Sequence, residues 1–81
     1  MRVDVLLFAS MRELAGAPSL GVELASGASV GDLLDAIREQ YPTLAKGLSE
    51  VRVAVEREFR DPTSPIAPGA EVALIPPVSG G

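Results

Sequence analysis

Eighty-one residues carry seven Lys+Arg against eleven Asp+Glu, a net charge of −4, and neither Cys nor His. Such an acidic chain lacks the clustered positive charge that nucleic acid and anionic membrane surfaces require. Without Cys or His it also has no disulfide, no thiolate, no imidazole base and none of the commonest metal ligands. The length suits one small domain with a thin core, poorly equipped to run difficult chemistry with its own side chains. A hydrophobic content of 47% excludes disorder. The longest apolar run, Val5 to Ala9, is five residues, against about 20 for a membrane helix. Asp4 breaks what a signal peptide would need. A cytoplasmic protein with no membrane or nucleic-acid partner is the expectation.

Arg2 to Ala9 reads as a first strand, with Val3, Val5 and Leu7 on one face and Asp4, Leu6 and Phe8 on the other. Both faces turn apolar toward its end, which predicts a central strand covered in part on both sides. Ser10-Met11-Arg12-Glu13 has capping-box spacing, so a short helical turn is expected over Met11 to Ala15, stopped by Gly16 and Pro18. Leu20 to Leu24 alternates as a half-buried strand. A small-residue turn follows over Ala25 to Ala28, carrying Gly27.

The clearest helix starts at the N-cap candidate Ser29, with Asp32 placed to suit the helix dipole, and ends near Tyr41 ahead of Pro42. Val30, Leu33, Leu34, Ile37 and Tyr41 form one apolar stripe. If fully buried, Leu34 is worth about 2–5 kcal/mol against Ala. One further turn is expected over Thr43 to Leu48, broken at Gly47. Val51, Val53 and Val55 alternate as a third strand, and Glu58 to Arg60 form a short edge strand. A turn-rich connection spans Asp61 to Ala70. Val72 to Ile75 is a last central strand, ended by Pro76-Pro77. One helix over one mixed sheet is the α+β layout this order implies.

Chemistry-bearing motifs are absent: the chain has no GxxxxGK[ST], GxGxxG or HExxH. Glu56, Glu58 and Asp61, and likewise Asp32, Asp35 and Glu39, are acidic groups without calcium-loop glycines. Solvated charge is their simpler reading, and no metal site is expected. The last residues stand out. Pro76-Pro77 brakes a buried strand, and Val78-Ser79-Gly80-Gly81 then reaches at most about 13–14 Å beyond it. Gly80 and Gly81 would let a terminal carboxylate pass a channel that larger residues would block. An ordinary frayed terminus is the alternative.

Val72-Ala73-Leu74-Ile75-Pro76-Pro77-Val78-Ser79-Gly80-Gly81 resembles the C-terminal signature of the molybdopterin synthase sulfur-carrier (small) subunit, the MoaD family. Leu7-Phe8-Ala9-Ser10-Met11-Arg12-Glu13-Leu14-Ala15-Gly16 is similar to its N-terminal signature. The resemblance extends through Leu33-Leu34 and Pro68-Gly69-Ala70-Glu71-Val72. It departs at Val55-Glu56, where many relatives carry Val-Asn and Asn would favour a tight turn.

The resemblance implies a β-grasp (ubiquitin-like) fold over residues 1–77 and a Gly-Gly tail over 78–81. It implies that an E1-like enzyme uses ATP and Mg²⁺ to adenylate Gly81, and that a sulfurtransferase then leaves a thiocarboxylate. The tail (Val78, Ser79, Gly80, Gly81) would enter the large catalytic subunit and give sulfur to cyclic pyranopterin monophosphate. Two carriers at the ends of a large-subunit dimer would make a hetero-tetramer. The chain itself would hold no cofactor and act as a non-catalytic subunit. A thiamin-pathway sulfur carrier, a ubiquitin-like modifier joined through Gly81 to a lysine, and a passive binding module are the alternatives. Phe8, Met11 and Ile75 are candidates for an apolar docking patch, with ordinary core as the alternative. Arg12 is a candidate for pairing with a partner carboxylate, with a solvated side chain as its alternative.

Overall fold

A period-two alternation of Val and Leu with polar residues builds the sheet, and a 3.6-residue stripe builds the helix that covers it. The computed structural model describes residues 1–77; the expectations placed on Val78, Ser79, Gly80 and Gly81 lie outside them. The elements in chain order are β1 (Arg2–Leu7), α1 (Ala9–Ala15), β2 (Ser19–Glu23) and α2 (Val30–Gln40). A 3₁₀ segment (Pro42–Glu50), β3 (Arg52–Val55), β4 (Glu58–Arg60) and β5 (Val72–Ile75) follow. The strands lie in the order β2-β1-β5-β3-β4. The terminal strands β1 and β5 run parallel side by side, and the other pairs are antiparallel. This mixed sheet with α2 across one face is the expected β-grasp arrangement.

One face of the sheet makes the core. Val5, Val22, Val72 and Leu74 are fully buried against Leu33 and Ile37 of α2, with Leu44, Leu48 and Ile66 closing the sides. Within the expected stripe, Val30, Leu33 and Ile37 are buried, whereas Leu34 and Tyr41 are only partly so. Leu34 therefore loses the full-burial premise on which its expected cost rested.

The N-terminus of α2 is fully supplied with acceptors. Ser29 and Asp32 form a capping box: Ser29 Oγ accepts from the Asp32 amide, and Asp32 Oδ2 accepts from the Ser29 amide at 2.9 Å. The turn-rich connection supplies the next two, since the Val30 amide donates to Ser64 O and the Gly31 amide to Pro62 O, both at 2.9 Å. No early amide of this helix is left over for an anion.

Three local expectations are corrected. Helix α1 starts at Ala9, with Phe8 as N-cap and no side-chain cap bond, so Ser10 and Glu13 do not form a capping box. Its stop at Gly16 holds, through a left-handed φ of 69°. The 3₁₀ segment runs through Gly47 instead of breaking there. The glycine is needed for packing: a Cβ there would sit 2.7 Å from Met11 Sδ and 3.2 Å from Leu14 Cδ1. Finally, β1 is central but covered on one face only, because Leu6 and Phe8 remain exposed.

Backbone strain is confined to a few places. Among the described residues, the non-glycine positions with positive φ are Ala9 (47°), Glu56 (52°) and Arg57 (67°). Glu56 and Arg57 form the two-residue link between the paired Val55 and Glu58, where Asn-Gly is preferred. A left-handed non-glycine residue costs roughly 1–2 kcal/mol. The departure noted at Val55-Glu56 thus keeps the tight turn and carries strain in place of a favoured residue. The Glu56 amide donates to Glu71 O at 2.8 Å and pins the turn to the approach of β5.

Candidate functional site

The uncovered sheet face holds an apolar groove of about 300 Å³. Register explains its shape. Leu6 lies opposite Ala73, Ala73 opposite Ala54, and Ala54 opposite Phe59. This row crosses four strands with large, small, small and large side chains, so two alanines make a floor between two walls. Phe8 extends the wall on the β1 side and Ile75 closes one end, opposite Arg52.

The walls are unusually open for such side chains: Phe8 is 47% and Phe59 51% exposed, and Leu6 is 36% exposed. Apolar residues grouped in this way mark an interaction surface more often than a scattered one does. Phe59 is held by Arg52, whose guanidinium carbon lies 3.8 Å from the ring centroid. Arg57 and Glu71 line the groove as well, with Arg57 Nε 3.3 Å from Glu71 Oε2.

Phe8 and Ile75 of the expected patch therefore meet in one groove. Met11 does not: it is 1% exposed, seated over Gly47, and belongs to the core. The reason is the early start of α1, which turns Met11 inward between the sheet and the 3₁₀ segment. Arg12 is exposed and lines a separate shallow depression with Glu13, Gly16 and Pro18. Leu6, Ala54, Phe59 and Ala73 escaped the sequence reading. Their signal was present as two small residues at matching centres of β3 and β5, flanked by strands with an exposed large residue.

Ile75 is followed by buried Pro76 and exposed Pro77, so the last described residues leave directly from the groove end. Elsewhere the electrostatics are plain. Asp61 is held below the ordinary carboxylate value, first because the Thr63 hydroxyl and then because the Thr63 amide donates to it. Among the described residues no group of three or more acidic side chains is placed to hold a metal ion. Nor, among them, is any helix long and apolar enough to cross a membrane.

A helix laid over a mixed sheet whose chain-terminal strands β1 and β5 pair at its centre defines a ubiquitin-like fold, with the carboxyl-terminal strand ending at an apolar face. The chain belongs to the ThiS family, which it matches over residues 5–81. It is 36% identical to the molybdopterin synthase sulfur carrier subunit of Arabidopsis thaliana, over all of this chain and 84% of that one. It is 40% identical to the Chlamydomonas reinhardtii protein of the same name, over the whole of both. In structure it is similar to small archaeal modifier protein 1 of Haloferax volcanii, with a TM-score of 0.87 and 32% identity over all of both chains. The resemblance drawn from the two terminal motifs thus extends along the full length.

Proposed function

We propose that this chain is the sulfur carrier of a molybdopterin synthase, with the Gly81 carboxylate as its reactive group. The observation that carries the reading is the full-length similarity to sulfur carrier subunits in a chain that ends Gly80-Gly81. In the first step a Gly81 carboxylate oxygen attacks the α-phosphate of ATP on an E1-like enzyme, with Mg²⁺ there, and pyrophosphate leaves. A sulfur donor held by a sulfurtransferase then attacks the acyl carbon. AMP leaves with one former carboxylate oxygen. A thiol then cleaves the acyl disulfide formed with the persulfide donor, leaving a disulfide on the donor side and a C-terminal thiocarboxylate on Gly81. Activation is required because a carboxylate oxygen is a poor leaving group and the phosphate anhydride a good one.

The thiocarboxylate then enters the large catalytic subunit and delivers sulfur to cyclic pyranopterin monophosphate. Two such transfers complete the dithiolene, in a hetero-tetramer of two carriers and two large subunits. The groove of Leu6, Phe8, Phe59 and Ile75 is the docking face, and its position at the root of the tail supports that role. Cytoplasmic operation follows from the intracellular supply of ATP that the first step consumes.

Intact mass spectrometry after incubation with the E1-like enzyme, ATP and a sulfur donor tests the reading. A gain matching one oxygen-to-sulfur exchange, dependent on ATP and mapped to Gly81, is expected. Deleting Gly81 should leave folding intact and abolish that gain. An unchanged wild-type mass, with enzymes active on another carrier, would refute the proposal. The likeness to a small archaeal modifier protein favours one second reading, conjugation through Gly81. It predicts an isopeptide adduct on a target lysine.

A further inference from the structure

We infer that Arg57 is a specificity residue at the groove rim, which meets a carboxylate on the partner beside the apolar side chain that fills the groove. The inference rests on the docking role proposed above. Three observations on this molecule lead to it.

Arg57 occupies a left-handed turn position where glycine is preferred, next to Glu56 in the same conformation. Retaining two long charged residues in that turn costs folding stability, and strain of this kind gathers at functional sites. Second, Arg57 is oriented without being used up. Its Nε faces Glu71 Oε2 at 3.3 Å, and its side chain is 88% exposed. A guanidinium has five donors in a planar fork. Among the described residues no other hydrogen bond or ion pair of Arg57 is formed, so its terminal amino groups face solvent above the groove. Third, the charge is local. Arg52 and Arg57 flank the groove against the single carboxylate of Glu71, in a chain of net charge −4. A cationic rim on an acidic carrier selects a partner segment with an apolar anchor flanked by Asp or Glu. Such rim charges act through encounter rate and discrimination and respond to salt.

The test compares the full chain with E56N, E56N/R57G and I75E for binding to the molybdopterin synthase large subunit from the same genome. Affinity is read by titration at about 50 mM salt, where the Debye length exceeds about 10 Å, and at about 300 mM, where it falls well below that. Both turn variants should melt several degrees higher than the native chain. E56N should bind as the native chain does. E56N/R57G should bind about fivefold more weakly at low salt and lose most of the salt dependence. Native-like, salt-sensitive binding by E56N/R57G would overturn the inference while leaving the docking face intact, as would equal weakening by E56N alone. If I75E binds as well as the native chain, or the native chain does not bind, the docking role itself fails and this inference falls with it.

Discussion

Replacing Met11 by Ala tests the assignment of this residue to the core. Full burial of a Met-sized side chain contributes about 1.5–3 kcal/mol, and the cavity left behind raises the cost to about 2–5 kcal/mol. An 81-residue domain has about 4–12 kcal/mol in total, at roughly 0.05–0.15 per residue. A loss near 3 kcal/mol would lower the melting temperature by about 12–24 °C. Gly47→Ala supplies the partner measurement. Its φ is not left-handed, so the backbone accepts Ala, yet the new Cβ would lie 2.7 Å from Met11 Sδ. Overpacking should cost about 1–3 kcal/mol in the native background, offset by about 0.4–1 kcal/mol from the stiffer unfolded chain. In the Met11→Ala background the same methyl group enters vacated space and becomes neutral or stabilising. Urea unfolding followed by circular dichroism should then show a favourable coupling of about 1–3 kcal/mol. Additivity within about 0.5 kcal/mol would refute the Met11–Gly47 contact. A Met11→Ala cost below about 1 kcal/mol would return Met11 to the surface.

Leu33→Ala should cost about 2–5 kcal/mol, because Leu33 is wholly buried, and Leu34→Ala clearly less; equal losses in denaturant titration would contradict the facing of α2. Ser29→Ala removes one half of the capping box and should cost about 0.5–2 kcal/mol by the same assay. The depressed pKa of Asp61 stabilises the fold above the unfolded carboxylate value of about 3.9 and loses that contribution as pH falls through the lower folded value. Asp61→Asn should therefore flatten the acid limb of a stability–pH curve; an unchanged limb would refute the Thr63 contacts as its cause. Phe8→Ser should leave stability nearly unchanged, given the exposure of Phe8, while abolishing binding to the large subunit in a titration.

The sequence disclosed elements wherever a single period ran uninterrupted. Helix α2, β4 and β5 fall where the stripe and the alternation place them, since Ser29, Pro42 and Pro76 end those patterns chemically. The start of α1 was illegible because Ser10 and Glu13 have capping-box spacing by chance, while the chain reverses one residue earlier at the left-handed Ala9. Gly47 read as a breaker because its reason is tertiary: it makes room for Met11 from another element. The groove was only half visible. Leu6 and Phe8 suggested a strand covered on both sides, and local pattern cannot say whether a second layer exists. With one long helix available, both faces of a five-stranded sheet cannot be covered, and the apolar residues of the second face stay in water.

That unevenness has a direction. On the helix side every early amide of α2 has an acceptor, and among the described residues no buried side-chain polar atom lacks a partner. On the open side the balance is reversed. Ala9 adjoins Phe8, and Glu56-Arg57 adjoin the strand of Phe59, so the three left-handed non-glycine residues among those described border the walls of the groove. Exposed aromatic rings contribute little stability when the domain is alone, and unfavourable dihedrals cost some. A contact that covers the rings gains the burial that folding leaves unused and relies on the geometry that the strained dihedrals maintain. A domain with so thin a core can bear this only because its other face is nearly saturated, and the same reasoning accounts for an open apolar face beside the last described residues, Pro76 and Pro77.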